Sequence, residues 1–132
     1  MNLVSIRIIT EDVARLAAFY EHVTGTIASW STEDFAEITM GPATLAIGST
    51  RTVPLFAPGS AEAGANRSVV IEFLVDDVDA VHAALGGRGE EFVNAPTTLP
   101  WGNRSLLLRD PDGNLVNLFT PVTPAARAKF GV

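Results

Sequence analysis

The chain has 132 residues, 47% of them hydrophobic, which suits one compact domain or two small fused modules, and no apolar run reaches membrane-spanning length. It contains no cysteine, which excludes disulfides and thiolate sites, and its formal net charge of −6 argues against a broad nucleic-acid surface. Met1-Asn2-Leu3 lacks the basic start of a signal peptide, so a cytoplasmic location is expected.

Residues 4–9 alternate and are rich in β-branched side chains, which predicts a strand. Thr10 is placed to cap a helix whose first turn would carry Glu11 and Asp12. Val13, Leu16, Ala17 and Tyr20 follow at helical spacing as one buried stripe, and Gly25 is a natural stop. Three strands are expected at 27–30, 35–40 and 44–47, with turns at 31–34 and at Gly41-Pro42. Residues 51–67 carry Pro54, Pro58, Gly59 and Gly64 and read as a linker. The plan then returns. Residues 69–75 form a strand, Asp76 is placed to cap a helix bearing Val78, Val81 and Leu85, and Gly86-Gly87 ends it. Further strands fit 91–93, 104–109 and 114–119; beyond Pro121 and Pro124, residues 125–130 suit a short helix. A constant shift lays Ile6 on Ile71, Glu11 on Asp76, Asp12 on Asp77, Val13 on Val78 and Ala18 on Ala83, so a strand–helix–strands unit is repeated.

The segment Asp110-Pro111-Asp112-Gly113-Asn114 is a tight turn between two strands: proline presets φ and Gly113 supplies a positive φ. Leu115, Asn117 and Phe119 then share one face of the outgoing strand. This turn, followed by apolar residues and a polar one at Asn117, resembles the closing segment of the vicinal oxygen chelate superfamily, which includes glyoxalase I, extradiol dioxygenases and bleomycin-resistance proteins. Phe19-Tyr20 resembles that family's first-helix signature, and Pro100-Trp101-Gly102 before the turn resembles the bleomycin-resistance proteins. The resemblance implies an α+β fold of two βαβββ modules, a curled mixed sheet around a cavity, and a homodimer. On that plan residues 1–50 are the first module, 51–67 the linker, 68–120 the second module and 121–132 a tail. Ile6, Ile8 and Thr10 would face the first helix, and Ile71, Phe73 and Val75 the second. Ser5, Arg7, Ile9, Val70, Glu72 and Leu74 would face the cavity.

The family's metal-binding members use histidine, glutamine or glutamate at positions that fall here on Ser5, Val70, Ala46 or Ile47, and Asn117. Asparagine stands where the resemblance implies a glutamate. Serine and asparagine bind divalent ions weakly, and valine and alanine not at all, so no metal and no cofactor is expected. His22 and His82 lie on outer or lateral helix faces by the helical pattern. No phosphate loop, nucleophile elbow or paired His-Glu helix motif is present.

The inward-facing candidates are therefore Ser5, Arg7, Glu72, Asn117 and Phe119, with the aromatic residues Trp30, Phe35, Phe56 and Trp101 and the neighbouring Arg104. Arg7 and Glu72 correspond in the repeat; they could form an ion pair or contact a ligand, Arg7 as anion partner and Glu72 as acceptor or base. Trp101 offers a flat stacking face or packs at an edge. The expected function is metal-free binding of a small apolar or aromatic molecule, an antibiotic or a metabolite, and the negative charge modestly favours a cationic one. The rivals are a metal-independent isomerase or lyase using Glu72 and Arg7, a metal-dependent lyase or dioxygenase with displaced ligands, and a purely structural module.

Overall fold

A computed structural model describes residues 1–132. The chain divides into two units, Met1–Asn66 and Arg67–Val132, each with its own sheet and core. In the first unit β1 (Ser5–Thr10) leads through α1 (Val13–Thr24) to β2 (Ser29–Thr32), β3 (Phe35–Met40) and β4 (Ala43–Ser49), followed by a 3-10 helix at Thr50–Leu55. The strand order is β1-β4-β3-β2, with β1 parallel to β4 and the rest antiparallel.

The second unit repeats this plan. β5 (Val70–Leu74), α2 (Val78–Leu85), β8 (Asn103–Arg109) and β9 (Leu115–Pro121) give the order β5-β9-β8, with β5 parallel to β9. The strand expected at 91–93 is present as β6 (Glu91–Phe92), and a second short piece, β7 (Thr97–Thr98), follows it, both paired to β8. The chain closes with α3 (Pro124–Phe130). This is a mixed α+β fold with two mixed sheets, neither closed into a barrel.

The helix starts differ from expectation by a small and instructive amount. Asp12, not Thr10, caps α1, its carboxylate accepting the Arg15 N–H at 3.0 Å. Thr10 stays in the strand, fully buried, and its hydroxyl accepts the Asp12 N–H at 3.2 Å. Asp77, not Asp76, caps α2 and accepts the N–H groups of Asp79 and Ala80, both at 3.0 Å. A cap must have extended backbone while its side chain reaches the second or third helical N–H, which Asp12 and Asp77 satisfy. The stripe Val13, Leu16, Ala17 and Tyr20 is buried as its spacing requires. Gly25 ends α1 at φ 70°, a backbone state that a β-carbon resists. The 31–34 turn is shorter than expected, because β2 runs on to Thr32, and the linker begins as a 3-10 helix.

In the first unit α1 lies on the face formed by Ala36 and Ile38 of β3 and Leu45 and Ile47 of β4, all buried. In the second, Val78 and Leu85 of α2 cover Leu106, Leu108, Val116 and Leu118. Each such large side chain contributes about 1.5–3 kcal/mol by leaving water. Arg104 lies on this helix side of β8, where its guanidinium grips Asp79 of α2 at 2.6 and 2.8 Å. Thr120 joins β9, β5 and α2, accepting the Val78 N–H at 2.9 Å and donating to the Val75 carbonyl at 3.0 Å. With one face of each sheet committed to a helix, functional side chains are left to the other face.

Candidate functional site

The Asp110–Asn114 turn is built by one carboxylate. Asp110 Oδ1 accepts the N–H groups of Asp112 and Asn114, both at 2.9 Å, and Oδ2 accepts Asn114 Nδ2 at 2.7 Å. Gly113 takes φ 83°. The turn fixes where β9 begins, and so which way Asn117 points. Register pairs Glu72 of β5 with Asn117 of β9, and Asn117 with Leu107 of β8; Phe119 pairs with Ser105. Directly paired residues share a face. Glu72, Leu74, Asn117, Phe119, Asn103, Ser105 and Leu107 therefore occupy the face opposite α2.

Trp101 and α3 wall this face. Gly102 sits at φ 92°, and a β-carbon there would collide with the Thr123 side chain. Its carbonyl accepts the Val122 N–H at 2.8 Å, while Thr123 caps α3. One glycine thus holds the Trp101 loop against the start of α3. The Phe130 ring packs on Phe119 with centroids 5.1 Å apart. The result is an open cleft of about 600 Å³ lined by Glu72, Leu74, Trp101, Asn103, Phe119 and residues of α3. Trp101 is 67% exposed.

The polar groups of this face are unusually arranged. Asn117 Nδ2 donates to Glu72 Oε2 at 2.7 Å. A carboxylate only accepts, so this bond fixes the amide's orientation and turns Oδ1 away from Glu72. Asn117 Oδ1, Ser105 Oγ and Asn103 Oδ1 are all buried without a hydrogen-bond partner. Leaving such an atom unpaired costs about 1–3 kcal/mol, so three on one face need an explanation.

In the first unit Arg7 lies on the face opposite α1, paired in register with Ala46, which pairs with Glu37. Its guanidinium stands 4.9 Å from the Phe35 ring centre and 5.2 Å from that of Phe56, a cation–π arrangement with Phe56 supplied by the segment after the 3-10 helix. Ser5 shares this face and is exposed. Trp30 does not: it pairs with Ala36 and so belongs to the helix side, 44% exposed at the sheet edge. Arg104, expected beside Trp101, is turned to α2 by Asp79, because residue 104 falls out of phase with Asn103 and Ser105 on β8. His82 packs edge-on to Phe92 at 4.8 Å, on the α2 side, and His22 is exposed.

Sequence reasoning missed Asn103, Ser105, Lys129 and Phe130. The period-two alternation through Asn103, Ser105 and Leu107 was a usable signal; the docking of α3 was not readable from its seven residues.

The donor set does not suit a metal. The positions implied for ligands hold Ser5, Val70, Ala46 or Ile47, and Asn117, and Asn117 turns its Nδ2 to Glu72. No three His, Cys, Asp or Glu side chains come together in a geometry that could hold an ion.

The chain is 27% identical over 125 residues to an uncharacterized protein, YraH, from Bacillus subtilis (strain 168), covering 90% of this chain and 98% of that one. A glyoxalase/bleomycin resistance protein/dioxygenase from Nocardioides superposes with a TM-score of 0.76 at 22% identity, over 94% of this chain and 85% of that one. A glyoxalase/bleomycin resistance protein/dioxygenase family enzyme from Burkholderia phytofirmans PsJN gives 0.79 at 21% identity, over 92% and 100%. These two likenesses establish the fold. The family model for the Glyoxalase/Bleomycin resistance protein/Dioxygenase superfamily matches residues 2–118, so with its repeated strand–helix–strands units and Asp110–Asn114 turn the chain belongs to that superfamily.

Proposed function

We propose that this chain binds a small, largely apolar or aromatic molecule reversibly and without a metal, sequestering an antibiotic or metabolite, and that it works as a cytoplasmic homodimer. One observation carries the reading: a cleft with Trp101, Phe119 and Phe130 for walls and the polar side chains of Glu72 and Asn103 in its lining, Asn103 Oδ1 being unpartnered. A binding pocket of this size range is mostly apolar with a few placed polar groups. The absence of cysteine agrees with a reducing compartment.

Native mass spectrometry of freshly purified protein tests metal, ligand and assembly together. The expected spectrum shows a dimer, no zinc, iron or manganese, and a small-molecule adduct on part of the population. Stoichiometric transition metal would overturn the metal-free reading. Trp101→Ala should weaken binding of that adduct about tenfold, since a large stacking surface is lost. Unchanged affinity would move the site elsewhere.

A further inference from the structure

The charged group on the sheet side of the cleft is a carboxylate. Glu72 is exposed, and its hydrogen bond to Asn117 leaves acceptor positions free. Asn117 gives one of its two amide hydrogens to Glu72, which turns its oxygen away from the carboxylate. Asn103 Oδ1, Ser105 Oγ and Asn117 Oδ1 complete a set of unpartnered oxygens on the same face. Ser105 is 3% exposed and Asn117 8%, so their dipoles act in a medium that screens them poorly. The one cation in the lining, Lys129, is exposed, and its ammonium lies 5.2 Å from the centre of the Phe130 ring. It sits on α3 rather than among the sheet oxygens.

We infer that the cleft of the second unit selects an aromatic molecule bearing a protonated amine, and that the Glu72–Asn117 hydrogen bond sets this polarity; the inference rests on the small-molecule reading above. The aromatic ring stacks on Trp101 and Phe119, and the ammonium meets the Glu72 carboxylate. The covered oxygens of Asn103, Ser105 and Asn117 lend negative potential behind it. Glu72 contacts the ligand directly. Asn117 is a positioning residue: while its Nδ2 is held by a carboxylate, its oxygen is turned away from Glu72. Replacing the carboxylate by an amide frees Asn117 to turn, and the floor loses its fixed sign.

Isothermal titration calorimetry of the full-length protein with three probes of one scaffold tests this: tryptamine, tryptophol and indole-3-propionate, which carry an ammonium, a hydroxyl and a carboxylate. Tryptamine should bind at least about tenfold tighter than tryptophol, with indole-3-propionate weakest, as a charge-assisted hydrogen bond requires. In Glu72→Gln, checked for fold by circular dichroism, the ratio of tryptamine to tryptophol affinity should fall to near one. Equal binding of all three probes to the wild type would overturn the inference and leave small-molecule binding standing. Preference for indole-3-propionate would also overturn it and would point to Lys129 as the anchor. Binding of none of the three would overturn it and count against the proposed function too. A tryptamine preference that survives Glu72→Gln would remove Glu72 and its bond to Asn117 from the explanation.

Discussion

Asn117 shows how far one side chain sets the chemistry of a site. Its Nδ2 donates 2.7 Å to Glu72 Oε2, a neutral-to-charged bond that lets a carboxylate sit on a half-buried sheet face. Asn117→Asp removes the donor and sets two carboxylates together. Like charges at that spacing cannot both ionise comfortably, so the pair holds a proton to higher pH than a free carboxyl would. A folded-state pKa raised above the unfolded value gives stability that is present at low pH and lost as pH rises through the raised value. The variant should therefore be nearly as stable as wild type near pH 5 and less stable by about 1–3 kcal/mol at pH 8. Thermal melts at the two pH values measure this. A deficit that does not change with pH would mean that the lost packing, not the lost donor, matters. Asn117 was legible as a departure from the superfamily's turn because its position is tied to Gly113 by local geometry. Ser105 and Asn103 showed only as a period-two alternation, because which face they take depends on hydrogen-bonded register with β9, a non-local property.

At the level of elements, local chemistry located the three α-helices and most strands but misplaced the caps of the first two helices and read the 3-10 helix as linker. In both units the acidic stretch before the helix offers more than one capping side chain, Thr10 or Asp12 and Asp76 or Asp77. Sequence spacing does not say which residue leaves the strand. The repeat had nevertheless laid Asp12 on Asp77, the two residues that do the capping. Asp77→Ala should cost about 1 kcal/mol through two lost N–H acceptors, while Asp76→Ala, one position away, should stay within about 0.5 kcal/mol. Urea denaturation of both variants gives the comparison, and equal losses would contradict the cap assignment. The broken strand β6–β7 was unreadable for another reason. Asn94, Ala95 and Pro96 interrupt it, and Asn94 reaches the β8 backbone through its side chain, accepting the Leu107 N–H at 2.7 Å. A side chain here replaces a ladder bond that strand patterning presumes.

Across the whole molecule the duplication is visible in paired partners: Arg7 stands opposite Ala46 and Glu72 opposite Asn117, on the same relative strands. The repeated plan survives in register while the side chains differ, arginine and alanine in the first unit and glutamate and asparagine in the second. The two units also carry one exposed ion pair each, and these bear on acid stability. In the first, hydrogen bonds from Ser49 and then Arg51 hold the Asp34 carboxyl below its ordinary value of 3.8. In the second, Arg104 does the same for Asp79. A depressed folded-state pKa gives stability that is complete above the unfolded value and fades as pH falls through the folded one. The urea midpoint should hence be flat above about pH 5 and decline below the ordinary aspartate range. Asp34→Asn and Asp79→Asn should each lower the neutral-pH plateau slightly and make the acid decline shallower. Both pairs are solvent-exposed, so the difference between wild type and variants should shrink in about 0.5 M salt, where screening shortens the reach of surface charges. If Asp34→Asn keeps the full acid slope at low salt, the Ser49–Asp34–Arg51 cluster is not what acid disrupts, and the decline belongs to other carboxylates.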